Sequence, residues 1–387
     1  MFLERVLSAN DGTNVMLNAC LEVVKKSKKV VIFGAGIGRG GIYNVLKESG
    51  MLDKVIAFSD NNTIKWNETY MDEKLYIIPP SELRTKVGLD CTIIIASSAY
   101  DIIKKQLISL GFSETQIFLF NFAFMDLQYT DKEFIWNHII DFQRAFDRMN
   151  DEKSRKIFIN ILNYKITKDV SYLTDLQAYV DDEKQQYFPR DLFEFCENEI
   201  FLDIGAYNGD TLKVFNSVYQ GNWSKYFGFE ADERVYKRLL DYISDKGLGN
   251  KANIYNLAAW DTEATLYFDE NPGSSFMCEG EKSKKCKVKA KRIDDVLGQE
   301  KISFIKMDIE GSEKNAINGM EKLIMKNIPI LAVCVYHCRD DFYAITDLLE
   351  RICPEKYTYY LRQYRFTPTE TVCYAIPKTR DYEIDRK

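Results

Sequence analysis

The chain has 387 residues and a net charge of −6; its residues are 46% hydrophobic and 13% aromatic. That length and apolar content suit two domains with cores of their own, and the acidic balance argues against a nucleic-acid partner. No run of about 18 apolar residues appears, so no membrane span is expected, and nine cysteines without a CxxC pair argue for reduced thiols in a cytosolic protein rather than a zinc or disulfide framework.

Residues 28–121 alternate short strands with helical segments. Lys29–Phe33 is a β-branched run that breaks into the glycine-rich stretch Gly34–Gly41, and a helical pattern follows to Glu48. Strands are expected at Lys54–Phe58, Lys74–Ile78, Thr92–Ala96 and Gln116–Phe120, with a helix at Asp101–Leu110. This order predicts a doubly wound parallel sheet. Residues 131–180 change to helical spacing, with Phe134, Ile135, Ile139, Phe142, Phe146 and Met149 on one face, then Ile157, Ile159, Ile161 and Leu162. His138 falls among them and reads as a packed helix histidine. From about residue 199 the alternation resumes, with five strands at Glu199–Ile204, Tyr226–Glu230, Asn253–Ala258, Phe304–Asp308 and Ile330–Tyr336. A strand-rich insert spans Ala264–Val288, its Lys282–Lys291 run reads as a solvated edge strand or hairpin, and the chain closes on a hairpin at Thr358–Arg362 and Thr371–Ile376. No internal repeat is evident. The predicted architecture is α/β: a Rossmann-like N-terminal domain (1–122), a helical connector (123–184) and a second Rossmann-like parallel-sheet domain (185–387).

The residues with chemistry gather at predicted strand ends of the second domain. In FLDIGAYNGDT, Asp203 ends a strand, Gly205 allows close backbone approach, and Gly209 opens a helix whose free N–H groups favour a carboxylate. Glu230 ends the next strand 25 residues after Gly205, where an acid accepts from both hydroxyls of a ribose. Ala259 and Trp260, with Asp261, could border an adenine. Asp308, Glu310 and Glu313 cluster in KMDIEGSE, where like charges raise one another's pKa or recruit a cation; Glu313 could equally be a first-turn helix residue. His337, one of two histidines, ends the neighbouring strand and suits proton removal near neutral pH.

Together FLDIGAYNGDT, YFGFEAD, FIKMDIEGSE, VYH and the tail YLRQYRF…TVCYAIP resemble the FkbM-type methyltransferase family over roughly residues 185–377. The resemblance implies a class I S-adenosylmethionine-dependent fold and transfer of a methyl group to an oxygen, commonly on sugars of glycans and natural products. It implies cofactor contacts at Asp203, Gly205, Ala206, Tyr207, Gly209, Asp210, Thr211, Glu230 and Asp308, and an aromatic approach segment at Gln186-Tyr187-Phe188. The catalytic roles of His337, Asp308 and Glu310 are chemical inference, with a divalent cation left open. The N-terminal half looks like the small Rossmann-like domain of bacterial sugar-modifying enzymes, some of which bind a nucleotide-sugar there. Gly34, Gly36 and Gly38, with Asp60 26 residues after Gly34, are its candidate nucleotide site, although the dinucleotide glycine pattern is out of register. The rival readings are an NAD(P)-dependent oxidoreductase working through Gly34–Gly41 and an inactive binding module. A sugar-containing small molecule is the expected partner, and homo-oligomerisation is left open.

Overall fold

The computed structural model describes the chain except residues 1, 7–14, 36–37, 67–68, 71–74, 98, 121–130, 168, 170, 177–178, 180, 182–184, 194–195, 270–284, 366–368 and 381–387. The N-terminal sheet contains β1 (Val30–Phe33), β2 (Val55–Ser59), β3 (Thr69–Tyr70), β4 (Leu75–Ile78), β5 (Thr92–Ile95) and β6 (Ile117–Leu119), in the order β3-β4-β2-β1-β5-β6. All pairs are parallel except β3 with β4. Val30–Phe33 and Ile93–Ile95 are fully buried, as continuous apolar strands covered on both faces must be. Two differences from the sequence reading are local. Lys54 closes a 3-10 turn before β2, and β3 is too short for its two residues to show a period.

The second domain contains β7 (Glu199–Ile204), β8 (Trp223–Phe229) and β9 (Ala252–Tyr255), then β10 (Ala258–Ala259), β11 (Ala264–Asp269) and β12 (Lys285–Lys291). β13 (Phe304–Met307), β14 (Ile330–Cys334), β15 (Tyr357–Gln363) and β16 (Thr371–Pro377) complete it. The main sheet has the order β15-β16-β14-β13-β7-β8-β9, with β16 antiparallel to both of its neighbours. The strand order therefore reverses between β7 and β13, the switch point at which ligands bind in open α/β sheets. The insert is a separate sheet, β10-β12-β11. The lysine-rich run reads from sequence as an edge strand or hairpin, and the hairpin is what forms: β12 pairs antiparallel with the preceding β11, and on its other side it is covered by the two-residue β10; residues 282–284 lie outside the described residues.

The connector docks on the second domain. Met149 bridges Tyr359, Asn150 N–H donates to the Tyr359 carbonyl at 2.9 Å, and the helix Glu152–Thr167 packs along β15. Arg362, 1% exposed, is the anchor: it reaches Asp151 at 2.7 Å and Asp191 at 2.8 Å and bonds the Ser154 hydroxyl. Phe2 packs on Phe146 and Phe158 of the connector, so the chain's start is drawn into the same core. His138 stacks on Phe134 with ring centroids 4.3 Å apart, the packed role expected of it. No described helix is long and apolar enough to cross a membrane. Removing Arg362 takes the cation from the partly buried Asp151 and the exposed Asp191 and empties a buried space, so Arg362→Ala should lower unfolding free energy by about 3 kcal/mol in a denaturant titration. A loss below about 1 kcal/mol, the range of an exposed pair, would show that the junction is not held by this group.

Candidate active site

Four strand ends build the site. β7 breaks at Gly205, whose φ of +80° is open to glycine at little cost, and a Cβ there would stand 2.1 Å from the Asp308 carbonyl oxygen. Gly205 and Ala206 N–H both donate to the Phe229 carbonyl at 3.0 Å, so the turn lies against the end of β8. Tyr207, at φ +46°, projects half-exposed from the turn. Gly209, at φ +87°, caps the helix Asp210–Val218; Asp210 accepts from Thr211 N–H at 2.7 Å, and Thr211 is buried.

Glu230 follows β8. Its two oxygens accept from Tyr207 N–H at 2.9 Å and Asp232 N–H at 2.8 Å. Burial pushes its pKa up, while those two donors oppose the rise. Asn256 donates to the Glu230 carbonyl and fixes the loop from behind. Ala259 is buried, and Trp260 borders the helix Glu313–Gly319, where a Cβ on Gly319 would sit 1.9 Å from the Trp260 carbonyl. Asp261 Oδ2 accepts from Asn315 at 3.0 Å, which spends part of its hydrogen-bonding capacity inside the protein.

Asp203 departs from its expected role. It is completely buried, with Tyr226 donating to it at 3.0 Å and Lys306 3.1 Å away. Lys306 also donates to the Gly205 carbonyl at 2.6 Å and lies 5.2 Å from the centre of the Tyr187 ring. Burial alone would depress the Lys306 ammonium, but Asp203 and Asp308 hold it above its ordinary value. The Asp203–Lys306 pair is thus a strut beneath the glycine turn rather than a group turned toward a ligand. Tyr187, of the segment read as an aromatic approach, is wedged into the wall. It is 7% exposed at φ +69°, and its hydroxyl donates to Asp308 Oδ2 at 2.9 Å. Phe188 is in the core against Phe304.

The reactive end lies where β13 and β14 finish side by side. His337 Nδ1 is 3.0 Å from Glu313 Oε1, and its Nε2 is 3.5 Å from Asp308 Oδ1 and 3.6 Å from Glu310 Oε2. Glu313, read from sequence as a possible first-turn helix residue, is 1% exposed and also accepts from Ile309 N–H at 3.0 Å. Its Oε2 is buried without a hydrogen-bond partner among the described residues. Glu310, at φ +55°, is largely exposed and touches the ring only at the longer distance. Burial works against a charged His337, but the Glu313 bond and the charges of Glu313, Asp308 and Glu310 raise it to about 9. The side chain expected to remove a proton therefore carries one at neutral pH. The same charge bears on the divalent cation. Asp308, Glu313 and His337 offer ligand atoms within 4.8 Å of one another, and a metal there would have to displace the His337 proton. Cys338, Asp340 and Asp341 form a second group of that kind, but Lys314 already pairs with Asp340 at 2.6 Å. In the N-terminal domain the structure places Gly34 and Asp60 together; Gly36 lies outside the described residues, and Gly38 begins the helix Gly38–Glu48.

Residues 203–361 match the family model described as the methyltransferase FkbM domain, and residues 26–118 match one described as the C2185-like N-terminal domain. None of the curated proteins matches the sequence. An FkbM methyltransferase from Methylobacillus flagellatus shares the fold over nearly the whole length: TM-score 0.64, 20% identity, 95% of this chain and 94% of that one. An rRNA methylase from Streptococcus thermophilus covers 54% of this chain and 94% of its own at TM-score 0.32 and 14% identity. A putative methyltransferase from Streptococcus mutans, solved with S-adenosylhomocysteine, covers 48% and 90% at TM-score 0.31 and 11% identity. Over residues 203–361 this chain is thus similar to the FkbM methyltransferase domain, and its C-terminal half has the class I methyltransferase fold.

Proposed function

We propose that this domain binds S-adenosylmethionine across the β7–β8 strand ends and methylates a hydroxyl of a sugar-containing acceptor. The observation that carries the reading is Glu230. It is fixed by two backbone donors at the end of β8, facing the Gly205 turn, where a carboxylate suits the vicinal hydroxyls of a ribose. The residues fit the rest of the group by charge. The free N–H groups at the start of the helix Asp210–Val218 suit its carboxylate. Asp308 and Glu310 offer anionic oxygens to its ammonium and sulfonium ends.

The cofactor supplies an electrophilic methyl on a cationic sulfur. The protein's contribution is alignment and the handling of one proton. Glu313 orients the His337 ring through Nδ1 and leaves Nε2 toward Asp308 and Glu310. With cationic groups of the cofactor beside Asp308 and Glu310, His337 would release its Nε2 proton to solvent more readily, and the neutral ring would then accept the proton of the acceptor hydroxyl. The sugar acceptor rests on the sequence resemblance, and the absence of a strong basic balance agrees with a small-molecule partner.

Calorimetry with S-adenosylhomocysteine tests the cofactor site. Glu230→Ala should weaken binding about 100-fold, as expected for two lost bonds to a charged group. Undetectable binding by the wild type would sink the proposal. Transfer of labelled methyl to a panel of nucleotide-sugars tests the acceptor class; a protein that binds the cofactor yet labels only non-sugar hydroxyls would refute the sugar assignment alone.

A further inference from the structure

Asp308 is held from both sides. Its Oδ1 faces His337 Nε2 at 3.5 Å and accepts from the Tyr336 hydroxyl at 3.4 Å, while its Oδ2 accepts from the Tyr187 hydroxyl at 2.9 Å. A carboxylate turns about its Cβ–Cγ bond with little preference, so either oxygen could face the ring. The Tyr187 bond, the shorter of the two from tyrosines, decides which one does. It pins Oδ2 to the wall and leaves Oδ1 for His337.

Tyr187 is placed for this against its own backbone preference. A φ of +69° disfavours a bulky side chain by roughly 1–2 kcal/mol, and such a conformation persists only where neighbours over-determine it. Here they do. Tyr187 N–H donates to the Tyr374 hydroxyl at 3.0 Å, and that hydroxyl pairs with the Tyr364 hydroxyl at 2.7 Å. On one side Phe188 packs on Phe201 and Phe304, and its N–H closes a turn on the Gln185 carbonyl at 2.8 Å. On the other side Gln186 donates at 2.8 Å to Glu370, which is itself at φ +65°.

The Tyr187 hydroxyl is a donor and stays one. Burial, then the Cys334 and Asp308 charges, hold its pKa well above the usual tyrosine range. Its one O–H serves one strong acceptor. Cys334 Sγ, 3.6 Å away, is the weaker choice, so the proton points to Asp308. Tyr364 and Tyr374 satisfy one another, hydroxyl to hydroxyl. Of these three buried tyrosines, Tyr187 is the one that turns its hydroxyl to an acid of the site.

We propose that Tyr187 is a positioning residue for methyl transfer, whose hydroxyl locks Asp308 so that Oδ1 is presented to His337 Nε2 and to the acceptor hydroxyl beside it. Tyr187 touches neither ligand and acts through Asp308. The role in transfer rests on the methyl-transfer reading, whereas the lock on Asp308 does not.

The test is a double-mutant cycle on the full chain, read first by NMR without any ligand. The chain has two histidines, so nitrogen labelling of histidine gives two rings, and His337→Asn assigns them. Tyr187→Phe should shift the His337 Nε2 resonance and leave His138 in place; in an Asp308→Asn background the same substitution should move neither. With the nucleotide-sugar that the wild type methylates best, Tyr187→Phe should lower kcat about 10–100-fold, the range for a lost bond to a charged group, with acceptor KM and S-adenosylhomocysteine affinity kept within about threefold. Tyr364→Phe removes a hydroxyl as deeply buried that does not reach Asp308; it should lower stability and leave both readouts unchanged. An unmoved His337 resonance, an equal shift in the Asp308→Asn background, or a kcat within about twofold of the wild type would overturn the proposal. Failure of Tyr187→Phe to fold would overturn it too, by showing that the hydroxyl holds the fold. Failure of S-adenosylhomocysteine to bind the wild type, with the histidine cycle as expected, would confirm the lock and count against the methyl-transfer reading instead.

Discussion

Gly205→Ala should abolish measurable S-adenosylhomocysteine binding, a loss of more than about 100-fold, and lower the melting temperature. Two costs combine. At φ +80° an alanine pays roughly 1 kcal/mol relative to glycine. The larger cost is steric, because its Cβ would stand 2.1 Å from the Asp308 backbone oxygen, an atom that cannot rotate away. Relief requires the ends of β7 and β13 to separate, which pulls the Gly205 carbonyl off Lys306 and moves the turn away from Glu230. Gly221→Ala isolates the first cost. Gly221 has φ +77°, a Cβ added there would meet nothing within 4 Å, and it lies outside the site. That variant should lose about 1 kcal/mol of stability and no affinity. If both alanine variants bind S-adenosylhomocysteine like the wild type, the close crossing of turn and strand end is not what shapes the pocket.

The contrast between these two glycines shows what a sequence conveys and what it withholds. The strands and their order were legible, because buried parallel strands are short apolar runs and Gly205, Glu230 and Asp308 each stand one residue past such a run. The pairing of strand-end acids was not. Asp203 reads as a strand-end carboxylate open to a ligand, but in the structure Lys306, two residues before Asp308 on the adjacent strand, meets it across the sheet, as the Lys306–Asp203 register dictates. Glu313 reads as a member of the acidic cluster or as a helix first-turn acid; it is both, and the parallel finish of β13 and β14 brings it to His337. The glycine turn of the first half is legible too: Gly34-Ala35 and Gly38 match Gly205-Ala206 and Gly209, and Asp60 follows Gly34 by 26 residues as Glu230 follows Gly205 by 25.

The second large effect concerns the proton on His337. His337→Asn should lower kcat by about 10²–10⁴, the range for loss of a positioned base, with S-adenosylhomocysteine affinity kept within a few-fold. In the wild type, kcat/KM should rise with pH along a limb set by the free enzyme's imidazolium, near 9, because only the neutral ring accepts a proton. Glu313→Gln removes the hydrogen-bonded carboxylate that contributes most to that elevation, so the limb should move toward 6.5 while the plateau falls through looser ring orientation. A limb that stays in place would mean that another group titrates.

The same proton is linked to folding, and its sign is set by the direction of the shift. The folded ring holds its proton more tightly than an unfolded one, so this contribution is complete below about 6.5 and is lost as pH rises through about 9. It amounts to roughly 3 kcal/mol. Asp341, pushed up to about 7 by burial and by the Glu313 charge, loses its own proton over a lower window, most of it before the His337 contribution fades. The stability advantage of the wild type over His337→Gln should therefore shrink by up to about 3 kcal/mol between about pH 7 and pH 10, measured by denaturant unfolding at each pH. A constant difference across that range would mean that His337 is already neutral at the lower end. The acid cluster would then hold the ring in place without holding its proton, and the base would be ready before any ligand arrives.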